Sequence, residues 1–190
     1  MVKSEGSPKG RMNVKAATQT TAMIALLMAA QVILGMFEVF HSDTIKLTLS
    51  FIAVVTAARF YGWIGGAAVA GFGDIVSWLI HPVGAWLPQI TATYALIGAV
   101  YGIVLYKKTN MFRIVTAVVT TQCIISLFVT TVWLTFLSST ENTMFRELYW
   151  TKVGMRVPQA LVMSVVQIAV IPLLFRALDR IPYKKRIMES

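Results

Sequence analysis

The sequence predicts an all-α integral membrane protein with six transmembrane helices and both termini in the cytoplasm. Apolar residues make up 57 % of the chain and charged residues only 13 %, roughly half the charge of a soluble domain. The mean hydropathy of +0.71 agrees. The net charge of +9 would suggest nucleic acid in a soluble chain. Here the basic residues gather in tails and alternate loops, which is the pattern of membrane topology. A lipid bilayer is therefore the expected surrounding, and no nucleic-acid partner is expected.

At 190 residues the length suits one domain. Residues 1–17 read as a cytoplasmic N-terminal tail, residues 18–178 as the six-helix membrane domain and residues 179–190 as a basic cytoplasmic tail. The first tail carries Lys3, Lys9, Arg11 and Lys15 and is expected to be frayed up to the membrane. Span one is residues 18–37, close to the roughly 20 residues that a crossing needs. No small-residue cleavage pattern follows it, so it is expected to be retained. A polar loop with Glu38, His41, Asp43 and Lys46 comes next. The other spans are 47–60, 63–80, 88–106, 112–137 and 156–177.

Loop charges set the expected orientation. Both tails, Arg59 and the turn with Lys107, Lys108 and Arg113 share one side, together with Arg176 and Arg180. That side collects thirteen of the seventeen Lys and Arg (four, one, three and five along the chain). The other side holds Lys46, Arg146, Lys152 and Arg156. The positive-inside rule places the richer side in the cytoplasm. Small residues at four-residue spacing mark where helices can touch. They occur as Ala25 and Ala29 in span one, Gly62 and Gly66 in span three, and Gly98 and Gly102 in span four. For spans three and four the expectation is packing inside the bundle; span one is ambiguous from spacing alone.

Residues 71–93 hold the densest chemistry. Asp74 lies inside an apolar arm, and Trp78 and Trp86 bracket a loop with His81, Pro82, Gly84 and Pro88, followed by Gln89 and Thr93. An intramembrane carboxylate faces a polar cavity or a protein partner. It is therefore either a ligand contact or a structural hydrogen bond. Each Trp is either an interface anchor or the wall of a site for a flat ligand.

Several chemistries have no signature. There is no GxxxxGK[ST] loop, HExxH or Cys-x-x-Cys, and His41 and His81 stand in loops without a metal-ligand set. The single Cys123 lies in an apolar segment and reads as a small hydrophobe. No catalytic residues, metal or cofactor are expected. Internal repeats of the kind found in secondary transporters are not evident either. A small capture protein that relies on an energised partner remains.

The chain from about residue 20 to 178 resembles the S components of energy-coupling factor (ECF) vitamin transporters, and among them the folate-specific group. The resemblance rests on Ile45-Lys-Leu-Thr-Leu-Ser-Phe-Ile52, Gly71-Phe-Gly-Asp74, Pro82-Val-Gly-Ala-Trp-Leu-Pro88, Thr130-Thr-Val-Trp-Leu134 and Arg156-Val-Pro158, in that order. Three places depart from the family pattern. Pro88-Gln-Ile-Thr91 stands for the usual Pro-Gly-Phe-Thr, Thr130 for an Asn, and Gly62-Trp63 for a Gly-Pro before span three.

The resemblance implies a non-catalytic binding subunit in a bacterial plasma membrane. It would capture folate or a related vitamin outside and work with a transmembrane coupling protein and two ATPases, which alone use ATP. Ala25 and Ala29 would meet the coupling protein. A pterin is flat and rich in donors and acceptors, suited to aromatic walls and to a carboxylate or amide. On that basis Trp86, Trp133 and Phe40 are candidate walls, and Asp74 or Gln89 candidate readers of the pterin edge, with Thr93 nearby. The anionic glutamate tail calls for a cation. Arg156 is favoured because it is expected to open span six, then Lys46, with Arg146 and Lys152 the only others on that side. The alternatives are another cargo, such as pantothenate or riboflavin, and a non-transport role as a small membrane enzyme or assembly factor.

Overall fold

The structure, a computed structural model, describes residues 8–36, 38–41, 46–82, 86–106, 110–138 and 145–180, with side chains for 18–36, 48–82, 86–106, 110–136 and 145–180. Helix α1 (Pro8–Met36) leads to a short hairpin of β1 (Glu38–His41) and β2 (Lys46–Thr48). Then come α2 (Phe51–Ile80), α3 (Pro88–Leu105) and α4 (Met111–Val119). A π-helical stretch (Thr120–Val129) joins α4 to α5 (Thr130–Ser138), and α6 (Phe145–Asp179) ends the described chain. Five of the resulting helical elements are long and apolar enough to cross a membrane.

The longest apolar stretch does not run straight. At Gly62 the backbone takes φ 68° and ψ −154°, outside the helical region and in the half of the map that suits glycine. A Cβ placed on Gly66 would stand 3.1 Å from the Cβ of Ala58. Eight residues of continuous helix would separate those positions by about 12 Å. The chain therefore doubles back at Gly62, and α2 is two antiparallel arms. They correspond to the expected spans two and three.

The second arm packs on α3 at backbone distance. A side chain on Gly66 would enter the carbonyl of Gly98, and one on Gly98 would enter the backbone of Gly66. One turn further, Gly102 lies against the backbone of Gly62 and Trp63. The two small-residue pairs of the sequence thus face one another across one antiparallel contact, as expected. In a bilayer such closeness is worth more than apolar bulk, because lipid already solvates apolar side chains.

Helix α1 divides cleanly into two faces. Ile24, Leu27 and Met28 pack towards the core, with Gln31 and Val32 buried a turn later. Ala22, Ala25, Leu26, Ala29 and Ile33 are exposed on the other side. The compact core lies near the end of the bundle where α3 and α6 finish, around Val55, Leu105, Ile114, Ile171 and Phe175. There the buried Arg59 donates to Asp179 at 2.6 Å and lies 4.2 Å from the centre of the Phe175 ring. Arg59 is thus a clamp between the first arm of α2 and the end of α6, in place of the loop charge read from the sequence.

Four further differences have local causes. Helix α1 starts at Pro8, well before the expected span, because proline is at home in a first helical turn and the backbone of a helix satisfies itself in water or lipid. The loop expected after span one contains an antiparallel hairpin, pairing Phe40 with Leu47 and His41 with Lys46, so the fold is not wholly α. Helix α6 begins at Phe145 and runs through Pro158, so Arg156 lies inside a helix and does not open one. The proline removes the hydrogen bond to the Gly154 carbonyl, and the helix continues through it. The π-helical stretch inside span five had no signal in the hydrophobic pattern.

The Gly66–Gly98 contact yields the first prediction. Gly98→Val is expected to destabilise the folded protein by about 1–3 kcal/mol or more, as overpacking does. Thermal unfolding in detergent measures it, with Ala99→Val, beside the crossing and not at its point of contact, as the control.

Candidate ligand cavity

One cavity of ≈ 480 Å³ opens among α1, the start of α2, α3, the π-helical stretch and α6. Its size falls in the usual range for small-molecule sites, about 300–1,000 Å³. The wall mixes ring and aliphatic surface from Phe51, Tyr94, Ile97 and Leu127 with the amides of Gln31, Gln122, Gln159 and Gln167. Among the described lining residues there is one charge, Arg156, and no carboxylate.

The floor is a closed hydrogen-bond group. Tyr101, 1 % exposed, donates its hydroxyl proton to Oε1 of Gln167 at 2.8 Å and accepts from Thr121 at 2.9 Å. Thr121 also sits 2.8 Å from the Ala117 carbonyl. These polar atoms satisfy one another at the point where cavity gives way to packed core. Below them the apolar residues of α2, α3, α4 and α6 pack into the buried core, which among the described residues fills that end of the bundle.

The guanidinium is held from α5. Thr131, fully buried, donates to the Leu127 carbonyl, and its oxygen accepts from Nη1 of Arg156 at 3.4 Å. A guanidinium carries five N–H donors. Among the described residues this long contact is its one hydrogen bond, which leaves most of the donors available to a ligand. One turn earlier on α6, Lys152 donates to the carbonyl of Leu134 at 2.9 Å, near the end of α5 where carbonyls lose their helical partners. Two residues of the Thr130-Thr-Val-Trp-Leu134 motif thus fix two cations of α6, and only Arg156 reaches the cavity. Arg146 does not line it, and the side chain of Lys46 lies outside the described residues.

The Gly71-Phe-Gly-Asp74 motif also has a mechanical reading. A Cβ on Gly71 would come within 3.2 Å of Ala95 on α3. Phe72, 60 % exposed, points away from the bundle. Gly73 lies against the Gln31 amide of α1. The half-buried Asp74 accepts from Thr91 at 2.6 Å, and Thr91 in turn accepts from the indole N–H of Trp86 at 3.2 Å. Trp86 further packs on Trp78, with ring centres 6.5 Å apart. Helix α2, the following turn and α3 are tied together by this chain of contacts.

Of the residues singled out from sequence, the cavity therefore brings in Arg156. Asp74 and Trp86 bind the α2–α3 turn, and Thr93 donates to the Gln89 carbonyl of its own helix at 2.8 Å. Gln89 is exposed, and Trp133 is half-buried on α5 away from the described lining. Phe40 lies outside the residues whose side chains are described. The four glutamines, Tyr94 and Tyr101 escaped sequence reasoning. One signal was available: Gln31, Gln159 and Gln167 are uncharged polar residues within apolar spans, the same kind of anomaly that drew attention to Asp74.

A membrane-embedded bundle with one blind, amide-rich cavity defines a small-molecule binding protein of the bilayer. The chain belongs to the family of ECF transporter substrate-specific components, whose profile matches residues 19–175. It is similar to the folate transporter FolT of Clostridium novyi (strain NT), at 27 % identity over 117 residues, covering 60 % of this chain and 67 % of that protein. Its fold is similar to a crystal structure of FolT bound with folic acid, with a TM-score of 0.71 and 22 % identity over 85 % of this chain and 96 % of the other.

Asp74 generates the second prediction. Asp74→Leu is expected to lower thermal stability, since losing the acceptor of a partly buried hydrogen bond costs about 1–3 kcal/mol. Asp74→Asn, which keeps an acceptor for Thr91, is expected to cost less. Ligand affinity, read by calorimetry, is expected to stay unchanged in Asp74→Asn.

Proposed function

We propose that this chain captures folate from outside the cell and carries it to a shared transport module, without catalysis of its own. The observation that carries the reading is a guanidinium, Arg156, which is the one charge among the described residues lining a cavity rich in amides and rings. A ligand suited to it has one anionic end, a planar body and several hydrogen-bonding edges. Folate has all three, and the similarity to a folate transporter over 117 residues supports the same cargo. In this reading Arg156 pairs with the carboxylates of the glutamate tail, the bidentate geometry that a guanidinium favours. Lys46, on the hairpin strand β2, is the second candidate for that pairing, with its side chain outside the described residues.

The topology follows from counting the two arms of α2 as separate crossings. Six spans then place both termini on the cytoplasmic side by the charge distribution, in a multi-pass bacterial plasma-membrane protein. The packed core, with the Arg59–Asp179 pair, seals the cytoplasmic end. The cavity opens towards the hairpin and the outside. Asp74, Thr91 and Trp86 brace that outer end beside the cavity, and no metal or cofactor has a role in this reading.

A cavity that is closed on the inside cannot by itself release cargo there, so delivery requires partners. These are a transmembrane coupling protein and two ATPases that hydrolyse ATP. The exposed face of α1 with Ala25 and Ala29 is flat enough to take another helix at short range, and no element of this chain covers it among the described residues.

Two outcomes test these roles. Arg156→Ala is expected to weaken folate about tenfold or more while barely affecting a pterin without glutamate, because a charge-assisted hydrogen bond is worth about 1.5–3 kcal/mol; equal weakening of both would remove the carboxylate role. Ala25→Trp combined with Ala29→Trp is expected to abolish folate uptake by cells and leave binding to the purified chain intact. Lost binding would show that the face packs internally.

A further inference from the structure

Among the described residues, three buried polar side-chain atoms have no hydrogen-bond partner: Oε1 of Gln31, Nη1 of Arg59 and Oγ1 of Thr135. Only Gln31 belongs to a residue lining the cavity. An unpartnered buried acceptor is a net loss of stability and calls for an explanation. Gln31 is 8 % exposed and stands near the outer end of α1, on the buried face of that helix.

The neighbouring helix is shaped to hold it. A Cβ on Gly73 would overlap Oε1, Cδ and Nε2 of Gln31, all three heavy groups of the amide. Any other residue at position 73 would push the amide off its place. The second glycine of Gly71-Phe-Gly-Asp74 thus fixes where the amide of α1 lies, while the carboxylate of the same motif fixes α3 through Thr91. The arrangement secures a polar group at the cavity wall yet gives its oxygen nothing to accept from.

We propose that Gln31 is a specificity-determining residue of the ligand cavity: its amide oxygen, seated by Gly73, accepts a hydrogen bond from the exocyclic amine of a planar heterocyclic ligand. The inference rests on the reading of the cavity as the folate site and adds which edge of the ligand is read, and from where. Arg156 and Gln31 belong to different helices, α6 and α1, both lining the one cavity. A ligand with an anionic end and a donor-bearing ring would engage both, one group at each end. A rotation of the terminal torsion of Gln31 is enough to exchange its oxygen and nitrogen, so the whole amide is available to match a donor–acceptor edge.

The test uses the purified full chain in detergent, with calorimetry against folate and against the analogue whose exocyclic ring amine is replaced by hydrogen. The wild-type chain is expected to bind the analogue about tenfold more weakly than folate. In Gln31→Leu folate is expected to fall to the level of the analogue, so that the two bind alike. The empty Gln31→Leu protein is expected to melt at the same temperature or higher, because the unpartnered acceptor is gone. Gly73→Ala, which displaces the amide without deleting it, is expected to lose the same discrimination. Folate and analogue weakening equally in Gln31→Leu, or folate keeping its full affinity, would overturn the assignment. Should the wild-type chain ignore folate and bind another flat vitamin, the folate reading falls, and the same comparison of Gln31→Leu with wild type runs on that ligand and its analogue lacking the ring donor.

Discussion

Close backbone approach between α2 and α3 is the constraint on which the rest depends. With hydrocarbon around the bundle, two helices gain little by burying apolar side chains on each other. They hold where backbones touch and where polar groups find partners. Gly66 against Gly98, and Gly102 against Gly62 and Trp63, provide the first. Asp74, Thr91 and Trp86 provide the second at the far end of the same pair. Once this hairpin is set, the first arm of α2 is brought back beside it by Gly62, and α1 and α6 have surfaces to pack on.

The bundle is uneven along its length, and the unevenness is what makes it a binding protein. One end is tightly filled with aliphatic side chains and pinned by Arg59 to Asp179 and Phe175. The other end keeps its helices apart and lines the gap with amides, hydroxyls and a guanidinium. Tyr101, Gln167 and Thr121 mark the boundary by satisfying one another. The π-helical stretch contributes on the open side, setting Gln122, Ser126 and Leu127 on the cavity wall. Irregular helical backbone of this type is uncommon and tends to accompany functional sites.

Much of the fold was legible because membrane spans are long apolar runs and because glycine pairs at four-residue spacing have one main use in lipid. Residues 88–106 correspond to α3 within a residue, and Gly62, Gly66, Gly98 and Gly102 meet as expected. The site was less legible. Asp74 draws attention as an intramembrane acid, yet a carboxylate answered by a threonine on the next helix and one answered by a ligand look alike in sequence. Gln31, Gln159 and Gln167 stand out in the same way, as polar residues among apolar neighbours, but only the three-dimensional wall shows that they converge. Arg156 could be chosen because few cations exist on that side, although its position inside a continuous helix that runs through Pro158 is not what a proline in the sequence suggests.

The central claim is that this chain alone, without partners or ATP, holds folate in the cavity between Gln31 and Arg156. Calorimetric titration of the purified, detergent-solubilised protein with a panel of folate, riboflavin and pantothenate tests it most directly. The account predicts one-to-one saturable binding of folate, with the other two vitamins far weaker. Tight binding of riboflavin or pantothenate in place of folate, or silence across the panel from a protein that melts cooperatively, would contradict it.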